Sequence, residues 1–296
     1  MTFGIANRIM LDLENAVQRA LSTGDESGIQ VIGYGEVTLV LLLHTDAGDF
    51  ACKRLPVFPN AERFERYRAS LDEYLARLAA AGVDVAPTEL WSSVRADRSI
   101  VAYCIQRALP RERVGHKLLH AANDDEAMRF FERVLAVVNK AVTPTLGIDS
   151  QAANWVEHEG RLIYLDVTTP LMRDEQGRER LDVKLFMSSL PVVLRDVVRV
   201  TMSKSIFDKF YSTRGAMLDL LGNLHKEKLA RLIPPYLERV NRVVDRPITE
   251  ADARAYYDED AKMWALIQRL RRTDKWLQSR VLRRTYPFLL PPPIAR

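Results

Sequence analysis

The chain has 296 residues, 47% of them hydrophobic and 28% charged, with a formal net charge of +4. That is an ordinary globular composition, with length for one large or two small domains. The charge is too small to argue for a nucleic-acid partner, and no apolar run reaches the roughly 18 residues that a membrane span needs. Two cysteines make a disulfide scaffold untenable, and five scattered histidines form no zinc-spaced cluster. With no signal peptide at Met1-Thr2-Phe3, a reducing, cytoplasmic setting is expected.

In chain order, the first element is an amphipathic helix that carries Asp12 and Glu14. Ile29 to Ile32 is a β-type run that breaks at Gly33-Tyr34-Gly35, and Val37 to Leu43 resumes it. Two glycines between strands let backbone N–H groups approach a phosphate closely. They also make ordinary hairpins. Asp46 to Asp49 is a turn, and Phe50 to Leu55 is the next strand, with Lys53 between apolar neighbours. Pro59-Asn60 opens a helix over 61–80, whose buried stripe is Phe64, Tyr67, Leu71, Tyr74, Leu75 and Leu78. Gly82 stops it. Leu90 to Val94 and Ser99 to Gln106 read as a hairpin that runs into a hinge at Arg107-Ala108-Leu109-Pro110. Cys52 and Cys104, both within strands, read as buried thiols.

Asp149 lies in a loop, Asn154 follows five residues later, and Asp166 comes twelve after that. Trp155-Val156 and Leu162 to Leu165 read as two short strands with a turn between them. Such a hairpin brings Asn154 and Asp166 side by side. The order is that of a phosphoryl-transfer site: one carboxylate for the attacking hydroxyl, then an amide and a second carboxylate for magnesium.

On these residues the chain resembles the protein-kinase-like superfamily, nearest the aminoglycoside/choline-kinase-like and atypical bacterial branches. The resemblance covers roughly residues 28 to 170. It implies an α+β, bilobal fold: a small antiparallel-sheet N-lobe over 1–108 and a mostly helical C-lobe over 109–296. It implies that Gly33 and Gly35 cover the phosphates of ATP and that Lys53 contacts them. Lys53 would pair with a glutamate of the long helix. Glu62, Glu65 and Glu73 are candidates, and Glu73 is favoured because it adjoins Tyr74. Gln106 to Ala108 would offer backbone groups to adenine. Asp149 would be the catalytic base, and Asn154 and Asp166 the Mg²⁺ ligands.

The departures are specific. Gly147-Ile148-Asp149 lacks the histidine that props the loop, and Asp166-Val167-Thr168 lacks the switchable phenylalanine. No Ala-Pro-Glu follows. These losses argue against a phosphorylation-switched protein kinase. The resemblance therefore implies an ATP-dependent phosphotransferase acting on a hydroxyl of an unidentified small molecule. A binding or regulatory pseudokinase, or a nucleotidyl transferase, stays open.

Beyond Pro170 the sequence reads as helices at Val183 to Met202, interrupted by Pro191, then Phe207 to Leu221, Lys226 to Arg242 and Asp252 to Leu270. The end of the chain is basic, with Arg269, Arg271, Arg272, Lys275, Arg280, Arg283 and Arg284 among Trp264, Trp276, Leu277 and Leu282. Two readings fit: a helix packed on the C-lobe with solvated arginines, or a weak contact with an anionic membrane.

Overall fold

The computed structural model describes residues 3–34, 38–182, 207–283 and 285–290. Five strands, β1 (Gln30–Tyr34), β2 (Leu39–Thr45), β3 (Gly48–Arg54), β4 (Thr88–Val94) and β5 (Ile100–Arg107), form one antiparallel sheet in the order β1-β2-β3-β5-β4. Alternate residues of a strand face opposite sides, and β5 is apolar on both. Val101, Tyr103 and Ile105 meet Met10, Leu13 and Val17 of helix α1 (Asn7–Thr23). Ala102 and Cys104 join the larger core, to which helix α2 (Ala61–Ala80) contributes Phe64, Leu71, Tyr74 and Leu78. Burial pushes both cysteine thiols up to about 12, as befits inert interior side chains.

α2 begins where Asn60 accepts a hydrogen bond from the Arg63 N–H at 3.0 Å. It ends before Gly82, which takes φ +84°. The opposite face of the sheet is fastened by one carboxylate. Glu14 of α1 accepts from Arg54 at 2.9 and 3.0 Å, from Arg95 at 3.1 Å and from the Tyr103 hydroxyl at 2.7 Å. Burial pushes this carboxyl up. The hydrogen bonds and positive charge of Arg54 outweigh that and hold it at about 2.

The remainder is mostly helical. α3 (Gly115–Ala121) and α4 (Asp124–Ala141) precede a two-stranded hairpin, β6 (Trp155–His158) and β7 (Arg161–Tyr164). A reciprocal cap between Asn123 and Glu126 starts α4. Then come α5 (Thr213–Lys226), α6 (Ile233–Val240) and α7 (Glu250–Trp276). Phe131 of α4 stacks on Tyr236 of α6 with ring centroids 3.8 Å apart. The stripe of α2, Phe131, Tyr164, Leu221 and Tyr236 belong to one continuous core, so α2 joins the sheet to the helical part. The α+β architecture, with an antiparallel N-terminal sheet and a helical C-terminal part, is the one expected.

Several elements differ from expectation. β1 does not break at Gly33 but continues to Tyr34, with a register shift between Val31 and Gly33. The helix expected over Lys226 to Arg242 is shorter: a 3-10 turn, Ala230–Leu232, leads into α6, which starts only at Ile233. Pro234-Pro235 occupy the first turn of α6, where the missing N–H groups cost nothing, and they cannot continue a helix from upstream. The last helix runs past Leu270 to Trp276 and continues as a π-type turn, Leu277–Val281. Gly35 and the helix expected over Val183 to Met202 lie outside the described residues.

Candidate active site

A cleft of about 400 Å³ opens between the sheet and the helical part. Gly33, Lys53, Gln106 and Ala108 line it from the sheet, and Asn154 and Asp166 from below. Lys53 stands opposite Cys104 in the β3–β5 pairing. Its neighbour Cys52 belongs to the α1 side, so strand alternation turns Lys53 to the other face. Its Nζ donates to Asp166 Oδ1 at 2.7 Å.

The lower wall is a hydrogen-bonded loop. The Asn154 amide donates from Nδ2 to the Asp149 carbonyl at 3.1 Å, and the Leu165 N–H donates to the Asn154 carbonyl at 2.9 Å. The Gln151 N–H donates to Asp149 Oδ1 at 3.2 Å. The β6–β7 hairpin thus brings Asn154 beside the Leu165-Asp166 segment, as its spacing predicts.

The two carboxylates differ electrostatically. Burial pushes Asp166 up, but the Lys53 ammonium and hydrogen bonds from Lys53 and Thr168 outweigh it and hold the group below the usual carboxylate range. Asp149 goes the other way, to about 7. Burial is the first cause, followed by the charges of Asp219 and Asp166, which Lys209 only partly offsets. One carboxylate is therefore held charged next to an ammonium, and the other is poised to exchange a proton near neutrality.

The donor set of Asn154 and Asp166 is of the kind that magnesium takes. Asn154 donates through Nδ2, which leaves its Oδ1 as a hard acceptor in the cleft, and Asp166 supplies a charged carboxylate. Among the described residues no group of three or more histidine, cysteine or acidic side chains could hold a metal by itself. One carboxylate plus one amide, completed by phosphate oxygens and water, is the way magnesium is commonly held.

Two expectations need correction. Glu73 does not meet Lys53. It accepts from Arg180 at 2.5 Å through both oxygens and pairs with Arg77 at 2.8 Å. Glu62 pairs with Arg66 and Glu65 with Arg68. The reason is helix register. α2 buries Phe64, Tyr67, Leu71, Tyr74 and Leu78, and a side chain one residue off that stripe points along the surface. Toward the site α2 offers hydroxyls instead: Tyr67 donates to the Thr168 carbonyl at 3.0 Å and Tyr74 to the Gly147 carbonyl at 2.9 Å. The second correction concerns Ala108. Its N–H donates to the Asp49 carbonyl at 2.9 Å, which extends the β3–β5 ladder and removes that donor from any ligand. The Gln106 side chain is also engaged, with Thr88 at 3.0 Å and the Leu165 carbonyl at 3.1 Å.

Other residues at the site are absent from the sequence reading. Asp219 of α5 is buried and accepts from Lys209 at 2.7 Å and from the Tyr256 hydroxyl. Its second oxygen has no partner among the described residues. Lys209 is held above its ordinary value: burial pushes it down, and Asp219 and Tyr256 more than compensate. This group lies behind Asp149. The Ile148 N–H donates to the Phe210 carbonyl at 3.2 Å, and the Ser150 hydroxyl donates to the Ala216 carbonyl at 2.6 Å. A sequence signal existed, since a carboxylate inside Met217-Leu218-Asp219-Leu220-Leu221 must be paired if that run is buried. Arg111, His116 and Lys117 line the cleft from the helical part. Gly115 lets α3 approach, because a Cβ there would lie 2.3 Å from the Ala152 carbonyl oxygen and 2.5 Å from Phe130.

Among solved structures, a chain described as MAP kinase LmaMPK10 from Leishmania major aligns over 88% of this chain and 100% of its own, at 10% identity and a TM-score of 0.35. No curated protein matches the sequence. The model of a family described as a family of unknown function (DUF6206) matches residues 12–275, and the chain belongs to that family.

Proposed function

We propose that this protein is an ATP-dependent phosphotransferase of the protein-kinase-like type, acting on a hydroxyl of a small molecule. The observation that carries this reading is the Lys53–Asp166 ion pair inside the cleft, with Asn154 tied to the same loop as Asp149. A perturbed carboxylate with a specific charge partner in a cleft marks a candidate functional site. Magnesium, when bound, would neutralise phosphate charge and orient the transferring group. Asn154 and Asp166 would hold it, and Lys53 would bind the phosphates. Asp149 would accept the proton of the acceptor hydroxyl, a role suited to a carboxyl poised at about 7. The cleft would hold both partners in line and exclude water.

The test is calorimetric titration of Mg·ATP into wild type and Asp166→Asn. The substitution keeps shape and removes the charge. We expect affinity to fall by at least the factor of about 10 typical of losing a supporting partner at a metal site, while the protein stays folded. Equal affinity in the two proteins would remove Asp166 from the nucleotide site.

A second reading is a catalytically weak, nucleotide-binding regulatory protein. One observation favours it: no glutamate among the described residues pairs with Lys53, which is held by Asp166 alone. In that case Mg·ATP binds and no acceptor from a metabolite panel is phosphorylated.

A further inference from the structure

The last turns of α7 place large apolar side chains in water. Leu266 is 51% exposed, Trp276 60%, Leu277 43%, Val281 57% and Leu282 51%. Elsewhere among the described residues the large apolar side chains are mostly buried, so this is a local property. Of the apolar residues interleaved with the basic ones, Trp276, Leu277 and Leu282 are in solvent, whereas Trp264 is half-buried.

The same surface is cationic. Lys262, Arg269, Arg272, Lys275, Arg280 and Arg283 are exposed, and none is ion-paired among the described residues. From 262 to 283 the one acidic residue is Asp274, whose carboxylate accepts from Gln278 at 2.8 Å. Lys262, Leu266, Arg269, Thr273, Leu277 and Arg280 succeed one another at three- and four-residue steps, so cations and apolar groups share one face. Arg271 lies on the other side, buried, with its guanidinium 5.7 Å from the Phe288 ring.

From this we propose that the exposed face of α7 and its terminal turn docks on an anionic lipid surface. The chemistry is a plane of negative headgroups over hydrocarbon. The arginines and lysines meet the headgroups, and Trp276, Leu277, Val281 and Leu282 enter the boundary below them. A nucleic acid would use the cations but would leave four aliphatic side chains and an indole unserved. The segment lies flat and does not span, since no helix among the described residues is long and apolar enough to cross a membrane.

The experiment is co-sedimentation of the full chain with vesicles of phosphatidylcholine alone and with about a third phosphatidylserine. We expect binding at least about tenfold tighter to the second, weakening as salt is added. The double variant W276S/L277S should lose about tenfold in binding, and R269E/R280E should lose the preference for phosphatidylserine. Both should melt as wild type does, because the altered side chains are in solvent. Equal binding to both vesicles, binding to neither, or indifference to both double variants would overturn the proposal. So would concentration-dependent dimerisation abolished by W276S/L277S, which would make the face a self-association surface. Duplex DNA binding that survives W276S/L277S and exceeds vesicle binding would overturn it in favour of a polyanion site.

Discussion

Asp149 and Asp166 share one chemistry and one loop system, and their surroundings separate them by their neighbours' charges. Lys53 holds Asp166 charged, while burial and then Asp219 keep Asp149 protonated up to about pH 7. The acid limb of any Mg·ATP-dependent turnover should therefore follow Asp149, with activity rising as pH passes through 7. Asp219→Asn removes one of the negative charges that raise Asp149 and frees the positive charge of Lys209. Both effects favour the carboxylate, so the limb should move to lower pH. An unmoved limb would detach Asp219 from the base. The approach of Asn154 to the Leu165-Asp166 segment was legible from spacing, because a hairpin fixes the distance between its ends. The partner of Lys53 was not. Glu73 and Tyr74 are neighbours in sequence but about 100° apart around the helix, and the stripe with Tyr67 and Tyr74 takes the inward face.

At the scale of elements, one buried carboxylate ties α1 to the sheet. The drop of Glu14 from its ordinary 4.5 to about 2 corresponds to about 3 kcal/mol of stability. A carboxyl with a depressed folded value stabilises fully above its unfolded value, so this contribution is present above pH 4.5 and is lost as pH falls toward 2. Glu14→Gln should lower the melting temperature at pH 7 and flatten the loss between pH 4.5 and 2, read by circular dichroism. If the acid sensitivity stays unchanged, another carboxylate carries it. The strands, α2 and the β6–β7 hairpin were readable because alternation and capping are local. The late start of α6 at Pro234-Pro235 carried a local signal as well, masked by the apolar periodicity on both sides. The network around Glu14 was not readable, since Arg54, Arg95 and Tyr103 are brought to it by sheet pairing over 40 to 89 residues.

For the molecule as a whole, the sheet carries Gly33, Lys53, Gln106 and Ala108, the helical part carries Asn154 and Asp166, and the cleft exists because the two are held together. The α+β class followed from the order of element types alone. How the parts are joined did not, because it rests on side chains far apart in sequence, such as Tyr67 with Thr168 and Tyr74 with Gly147. The joint has a consequence for cooperativity. A chain cut near Leu109 would strand Phe64, Leu71 and Leu78 without their partners from α4, α5 and α6, so a fragment of residues 1–108 should aggregate or expose dye-binding apolar surface. The intact protein should melt in a single transition with equal calorimetric and van't Hoff enthalpies. Two resolved transitions would mean that sheet and helices fold as independent units; one would mean that any ligand held between them raises the melting temperature of both at once.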